Sequence, residues 1–227
     1  GFLIDASATG ASNFALGRDI AALGDVNGDG VDDLGFVSGE NASYVLFGRS
    51  DGFETAPVLS DFDGSAGITV SGLRGTQAAT RISGGDVDGD GTADVVVLDG
   101  SRSPSETGNI HVVFGGTGIA SVDASSGLDG TDGFTVVGSE AVNPELRLDA
   151  SGDIDGDGLA DMVFQTAEET VAVVFGRSDV ADGTLSLASG LDGADGFIVE
   201  ATEGVDGALG GASSYDALVT ADVNGDG

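Results

Sequence analysis

A nine-residue acidic loop returns along this chain at nearly even intervals, and that recurrence limits the available folds more than any other feature. "DVNGDGVDD" begins at Asp25, "DVDGDGTAD" at Asp86 and "DIDGDGLAD" at Asp153; "DVNGDG" opens a further copy at Asp222, giving intervals of 61, 67 and 69 residues. Other landmarks keep the same step. "YVLFGRSDGF" (44–53), "HVVFGGTG" (111–118) and "VAVVFGRSD" (171–179) each follow one loop, and "GITVSG" (67–72), "GFTVVG" (133–138) and "GFIVEA" (196–201) come next. "GFLIDA" at residues 1–6 fills the same slot. The chain therefore divides into three full repeats, 1–66, 67–132 and 133–195, and a partial one, 196–227. A period of this length marks a repeat architecture, in which one supersecondary unit stacks on the next.

Each full repeat reads as four short β segments, at about 2–5, 18–24, 33–38 and 43–48 in the first. Their β-branched and aromatic content, bounded by Gly, Asp and Ser, favours strands. No stretch of 11 or more residues keeps a helical period. Continuously apolar runs such as "DVVVL" and "VAVVF" predict strands covered on both faces. The expected fold is all-β: a β-propeller whose blades are four-stranded antiparallel sheets, about three and a half repeats of it. A β-helix has shorter repeats, and a β-sandwich has no need of one acidic loop at a fixed place in every unit. The partial repeat copies the first half of a unit, and a propeller needs about four to eight blades. Further propeller repeats are expected beyond these residues.

Within the loop, oxygen-bearing side chains fall at positions 1, 3, 5 and 9. They are Asp25, Asn27, Asp29 and Asp33; then Asp86, Asp88, Asp90 and Asp94; then Asp153, Asp155, Asp157 and Asp161. Asp222, Asn224 and Asp226 start the fourth set. Glycine holds position 6, where a sharp turn is needed (Gly30, Gly91, Gly158), and the position-7 carbonyls of Val31, Thr92 and Leu159 are candidate further ligands. Alternate oxygens facing inward suit a hard cation, and Ca²⁺ accepts such a flexible oxygen cage more readily than Mg²⁺ does. Carboxylates packed this closely repel one another unless a cation lies among them. An EF-hand opens the same way but carries an acidic residue at position 12 followed by a helix. Here position 12 is Phe36, Val97 or Phe164, each in a strand-like run.

The D-x-[DN]-x-D-G-x-x-D loop followed by apolar residues, with a "V-x-F-G" strand in repeats of this length, resembles the FG-GAP repeat of integrin-α-like β-propellers over essentially the whole chain. Only Phe-Gly survives of the family's signature, at 47–48, 114–115 and 175–176; no Gly-Ala-Pro is present. The resemblance implies one calcium ion in the hairpin between the first two strands of each blade. It also implies kinship with cell-surface adhesion proteins and large secreted bacterial proteins.

Charge narrows the partners. The 39 acidic against 7 basic side chains give a net charge of −32, and every basic residue is arginine. Such a surface lacks the basic footprint of a nucleic-acid binder and repels anionic membranes. No apolar run approaches the roughly 18–20 residues of a membrane span. Absent cysteine excludes disulfides and zinc–thiolate sites. His111 is the single histidine, so triads and zinc centres have too few parts, and the chain is not expected to be an enzyme. Arg49 and Arg177 follow Phe-Gly in equivalent slots and read as salt-bridge or inter-blade contacts. The expected role is a calcium-binding propeller segment of a large extracellular or cell-surface protein, acting as an adhesion or structural scaffold toward another protein or a surface glycan. The alternatives are a lectin-like glycan-binding module and the propeller domain of a polysaccharide-degrading enzyme.

Overall fold

Short apolar runs punctuated by Gly and Asp have one economical way to satisfy their backbone, which is to pair with their sequence neighbours as hairpins. The computed structural model describes residues 3–4, 16–38, 41–53, 57–74, 80–100, 107–141, 147–167, 170–180 and 182–200, and these are all-β. No α-helix occurs among them; the only helical pieces are 3₁₀ turns at Leu59–Asp61, Ala124–Ser126 and Leu187–Ser189. Among the described residues, no helix is long and apolar enough to cross a membrane.

Three sheets form in chain order. The first comprises β1 (Ile20–Gly24), β2 (Asp33–Val37), β3 (Ser43–Leu46) and β4 (Gly67–Ser71). The second comprises β5 (Thr80–Gly85), β6 (Asp94–Asp99), β7 (Thr107–Val113) and β9 (Gly133–Ala141). The third comprises β10 (Leu148–Gly152), β11 (Asp161–Ala167), β12 (Thr170–Val174) and β14 (Gly196–Glu200). Each is an antiparallel meander, with registers such as Phe36↔Tyr44, Val97↔His111 and Val163↔Val173. Two short parallel strands extend the outer edges: β8 (Val122–Asp123) pairs with β4, and β13 (Thr184–Ser186) pairs with β9. The sheets are thus of four or five strands.

These sheets run out of step with the sequence repeats. "GITVSG" opens the second repeat, yet it closes the first sheet by pairing with β3. In the same way "GFTVVG" closes the second sheet and "GFIVEA" the third. Residues 196–200 therefore complete a sheet instead of starting one. At the slot expected to hold a strand over 2–5, the described residues Leu3 and Ile4 are in no strand.

Period-2 alternation sends each strand's side chains to two faces, and in the second sheet both are covered. All six residues of β6 are buried. Val95, Val97 and Val113 pack with Leu23, Val37, Val45, Ile68 and Val70 of the first sheet. On the other face, Val96, Leu98, Val112, Phe134 and Val136 pack with Ala150, Met162, Phe164, Ala172 and Val174 of the third. The remaining face of the first sheet holds Phe36 and Tyr44, stacked at 5.7 Å, with Phe62 edge-on to both at 6.1 Å.

The first strands of the three sheets meet. Ile82 N donates to Asp19 Oδ2 (2.9 Å) and Ala150 N to Ser83 Oγ (3.0 Å). Glycine makes the approach available: a Cβ on Gly84 would press into the Leu23 backbone, and one on Gly85 would overlap the Ala150 carbonyl oxygen. Gly85→Ala is therefore expected to cost about 1–3 kcal/mol, as overpacking against rigid backbone does. Urea unfolding with an unchanged midpoint would show that the strands do not meet there.

Candidate metal centre

Each acidic loop connects the first two strands of its sheet: 25–32 joins β1 to β2, 86–93 joins β5 to β6, and 153–160 joins β10 to β11. The loop is wound by its own carboxylates. At position 1, Asp25 accepts from Asp29 N (3.0 Å) and Gly30 N (2.7 Å), Asp86 from Gly89 N (2.8 Å) and Gly91 N (3.0 Å), and Asp153 from Gly156 N (2.7 Å) and Gly158 N (2.8 Å). At position 3, Asn27, Asp88 and Asp155 each accept from the position-5 N–H, at 2.9, 3.0 and 3.1 Å. Position 6 lies at φ +86°, +91° and +93° for Gly30, Gly91 and Gly158, with open space where a Cβ would stand. Glycine is required there by backbone conformation and not by crowding.

Position 9 behaves differently. Asp33, Asp94 and Asp161 are buried, and both oxygens of each are used. Oδ2 accepts from the position-2 N–H of Val26 (2.9 Å), Val87 (2.8 Å) or Ile154 (2.6 Å). Oδ1 accepts from the glycine of the Phe-Gly pair: Gly48 (2.7 Å), Gly115 (2.9 Å) or Gly176 (2.9 Å). One carboxylate so ties the loop to the end of the third strand. The same glycines lie flat on the loop, since a Cβ on Gly48 or Gly115 would overlap the position-8 carbonyl oxygen.

Side-chain oxygens converge in two loops. Asp86, Asp88 and Asp94 form one group and Asp153, Asp155 and Asp161 another, each with its oxygens within 4.8 Å of one another. A single ion about 2.4 Å from each oxygen spans that separation. Hard oxygen donors of this kind fit Ca²⁺ or Mg²⁺ and disfavour soft metals. Position 5 stands outside the converging sets: Asp29, Asp90 and Asp157 accept from the position-7 N–H of Val31 (2.9 Å), Thr92 (2.8 Å) and Leu159 (2.9 Å). In the first loop Asn27 replaces the position-3 carboxylate, and no acidic triad forms there among the described residues. Asp222, Asn224 and Asp226 lie outside the described residues.

Neighbouring loops are stitched together by backbone. The position-8 N–H of one sheet donates to the position-1 carbonyl of the preceding one: Ala93 to Asp25 (2.9 Å) and Ala160 to Asp86 (2.7 Å). The residue after Phe-Gly donates to the preceding position-2 carbonyl: Gly116 to Val26 (2.8 Å) and Arg177 to Val87 (2.7 Å). These groups were not singled out from the sequence; the recurrent Phe-Gly at a fixed place after each loop was the available signal. The guanidinium of Arg49 pairs with Asp51 and that of Arg177 with Asp195. His111 is buried inside the second sheet, with Nδ1 3.0 Å from Thr135 Oγ1 and Nε2 3.8 Å from Asp99.

Compared with known proteins, the chain matches no family model and no curated protein.

Burial raises the carboxyls of Asp33, Asp94 and Asp161, against the opposing pull of their backbone donors, and Asp94 is pushed up to about 7. Asp88 is raised for the same reason. Without a cation, the folded chain then holds protons that the unfolded chain has lost between the ordinary carboxylate range and about pH 7. This contribution is full below the unfolded value and disappears as pH rises through the folded one. In chelator, the melting temperature should fall from pH 5 to pH 8; with saturating Ca²⁺, which needs the carboxylates ionised, the trend should reverse. A second expectation follows from Asn27. Asn27→Asp should raise calcium affinity at the first loop about tenfold, because ligand charge tunes such sites, and calorimetric titration would register it.

Proposed function

We propose that this chain is a segment of a calcium-stabilised β-propeller, its three sheets being blades, and that it serves as a structural or adhesive scaffold in a large secreted or cell-surface protein. The FG-GAP-like repeat of the sequence is the family reading that fits it. The observation that carries the proposal is the position-9 carboxylate. It is buried, raised by that burial, and grouped with two further carboxylates in the second and third loops, an arrangement that costs stability until a divalent cation enters.

Calcium then acts on folding. At a hundredfold excess over Kd, each site contributes about 2.7 kcal/mol. Three sites together give on the order of 8 kcal/mol, comparable to the whole stability of a typical domain. Bound calcium also offsets part of a charge of −32. The lectin-like alternative would want exposed aromatic platforms. The chain has no tryptophan and two tyrosines, of which Tyr44 is stacked inside the first sheet; Tyr215 lies outside the described residues. His111, buried beside Thr135, is poorly placed as a general base, which supports a scaffold over the glycan-cleaving alternative.

The test is thermal unfolding in excess EGTA, in millimolar Ca²⁺ and in matched Mg²⁺. A large calcium-specific rise is expected. Curves that superimpose in all three would refute calcium stabilisation.

A further inference from the structure

Among the described residues, Asn27–Gly28 is the single Asn-Gly pair, at positions 3 and 4 of the first loop; Asn41 and Asn109 precede Ala and Ile. The other loops carry Asp-Gly there, as Asp88–Gly89 and Asp155–Gly156. The backbone differs as well. Gly89 N and Gly156 N are each held by the position-1 carboxylate, at 2.8 and 2.7 Å. In the first loop Asp25 Oδ1 takes Asp29 N instead (3.0 Å), and Gly28 N has no acceptor among the described residues. The Asn27 side chain folds over that nitrogen. Its Oδ1 accepts from Asp29 N (2.9 Å), closing a ring that includes the Gly28 nitrogen, and its Nδ2 donates to Asp29 Oδ2 (3.2 Å). Gly28 is exposed at φ +74° and uncrowded: a Cβ there would come no nearer than 3.4 Å to a neighbour, the Thr117 methyl. A Cβ on Gly89 would strike Leu159 of the next unit at 2.5 Å.

We propose that Asn27 is a site of spontaneous covalent modification: the peptide nitrogen of Gly28 attacks its side-chain amide, and position 3 of the first loop becomes aspartyl or isoaspartyl. Glycine suits the nucleophile's place because no Cβ shields its nitrogen. The bond from Gly28 N to Asn27 Cγ forms as that nitrogen gives its proton to water. Negative charge develops on Oδ1, which already accepts from Asp29 N, and a donor so placed stabilises developing charge. The amide nitrogen Nδ2 takes a proton, its bond to Cγ breaks, and ammonia leaves. One water then opens the cyclic imide. Opening between Cγ and the Gly28 nitrogen restores the peptide and leaves aspartate, the group that Asp88 and Asp155 present in the other loops. Opening at the main-chain carbonyl of Asn27 leaves isoaspartate, with the chain running through Cγ. The net change consumes one amide and one water and yields one carboxylic acid and one ammonia. Asp88 and Asp155 react more slowly, because an ionised carboxylate is a poor electrophile and their glycine nitrogens are held. The inference concerns the chain's own covalent structure and does not depend on calcium. Its failure would leave the chelator result standing, and the reverse holds as well.

The test is incubation of the folded chain in EGTA at mildly alkaline pH in heavy-oxygen water, followed by tryptic digestion in ordinary water and mass spectrometry. Cleavage after Arg18 and Arg49 releases residues 19–49, whose fragment ions separate Asn27 from Asn41. The same peptide, incubated alone, is the unfolded reference. Asn27 should exchange its amide for a carboxyl bearing heavy oxygen at least as fast in the folded chain as in the peptide. Asn41 should stay an amide, and aspartyl and isoaspartyl forms of the peptide should both appear. Asn27→Gln, which lengthens the side chain and disfavours the ring, should abolish the signal in a chain that still melts cooperatively. Three results would overturn the inference. An Asn27 that stays an amide in the folded chain while the peptide converts means the loop protects it. Aspartate without isoaspartate means water attacked the amide and Gly28 took no part. A signal that survives Asn27→Gln comes from another residue.

Discussion

The buried carboxylate at the ninth loop position holds each unit together. Asp33, Asp94 and Asp161 sit where β2, β6 and β11 begin, out of water, and each accepts two backbone N–H groups from opposite directions. One comes from the loop just traversed. The other comes from the end of the third strand, 15 residues on in the first and third units and 21 in the second. A buried acceptor deprived of such donors costs about 1–3 kcal/mol, and a charged one costs more. The loop, the hairpin and the Phe-Gly corner therefore form together or not at all. Because Val26 and Val87, whose N–H groups donate to this carboxylate, accept through their carbonyls from the next unit, the clamp inside one sheet also sets the spacing between sheets.

Electrostatics sets what such a clamp costs. Burial favours the neutral acid, the neighbouring carboxylates repel, and a net charge of −32 adds a general repulsion. Backbone donors answer part of this, as the opposing effects at Asp94 show. A hard divalent cation held by the Asp triads of the second and third loops would answer the rest. The loop is also placed where added rigidity matters, since Ala93 and Ala160 couple each loop to its predecessor. The three loops are not equal. With Asn27 at position 3, the first loop places one fewer carboxylate at positions 1, 3, 5 and 9 than the other two, although Asp32 at position 8 keeps four acidic residues in the loop.

Much of the loop's geometry could be read from the residues. Alternating oxygens with glycine at position 6 foretold a wound loop, and the positive φ of Gly30, Gly91 and Gly158 is what that winding requires. The division of labour among the oxygens was not legible. Positions 1, 3 and 9 converge, while Asp90 and Asp157 turn to their own loop backbone. Spacing says which side chains share a loop, but each oxygen settles wherever an N–H is free, and that depends on dihedral angles. The roles of the Phe-Gly glycines and of the position-8 amides were hidden for a related reason: their partners lie in another strand or another sheet.

By itself the sequence determined the all-β character, the hairpin that carries each loop, the recurrence of one unit and the acidity of its turns. These are local properties, set by side-chain branching, period-2 patterning and glycine's access to positive φ. The tertiary structure decided where one sheet ends and the next begins. A repeat boundary can be drawn at any point of a period without changing the period. Hydrogen bonding cannot be shifted so freely: the outer edge of β3 needs a partner, and the nearest extended segment in the chain is "GITVSG" of the following repeat. Tertiary packing also decided which apolar residues are core. Val136 and Val199 hold the same slot in the sequence, yet among the described residues only Val136 has another sheet against it.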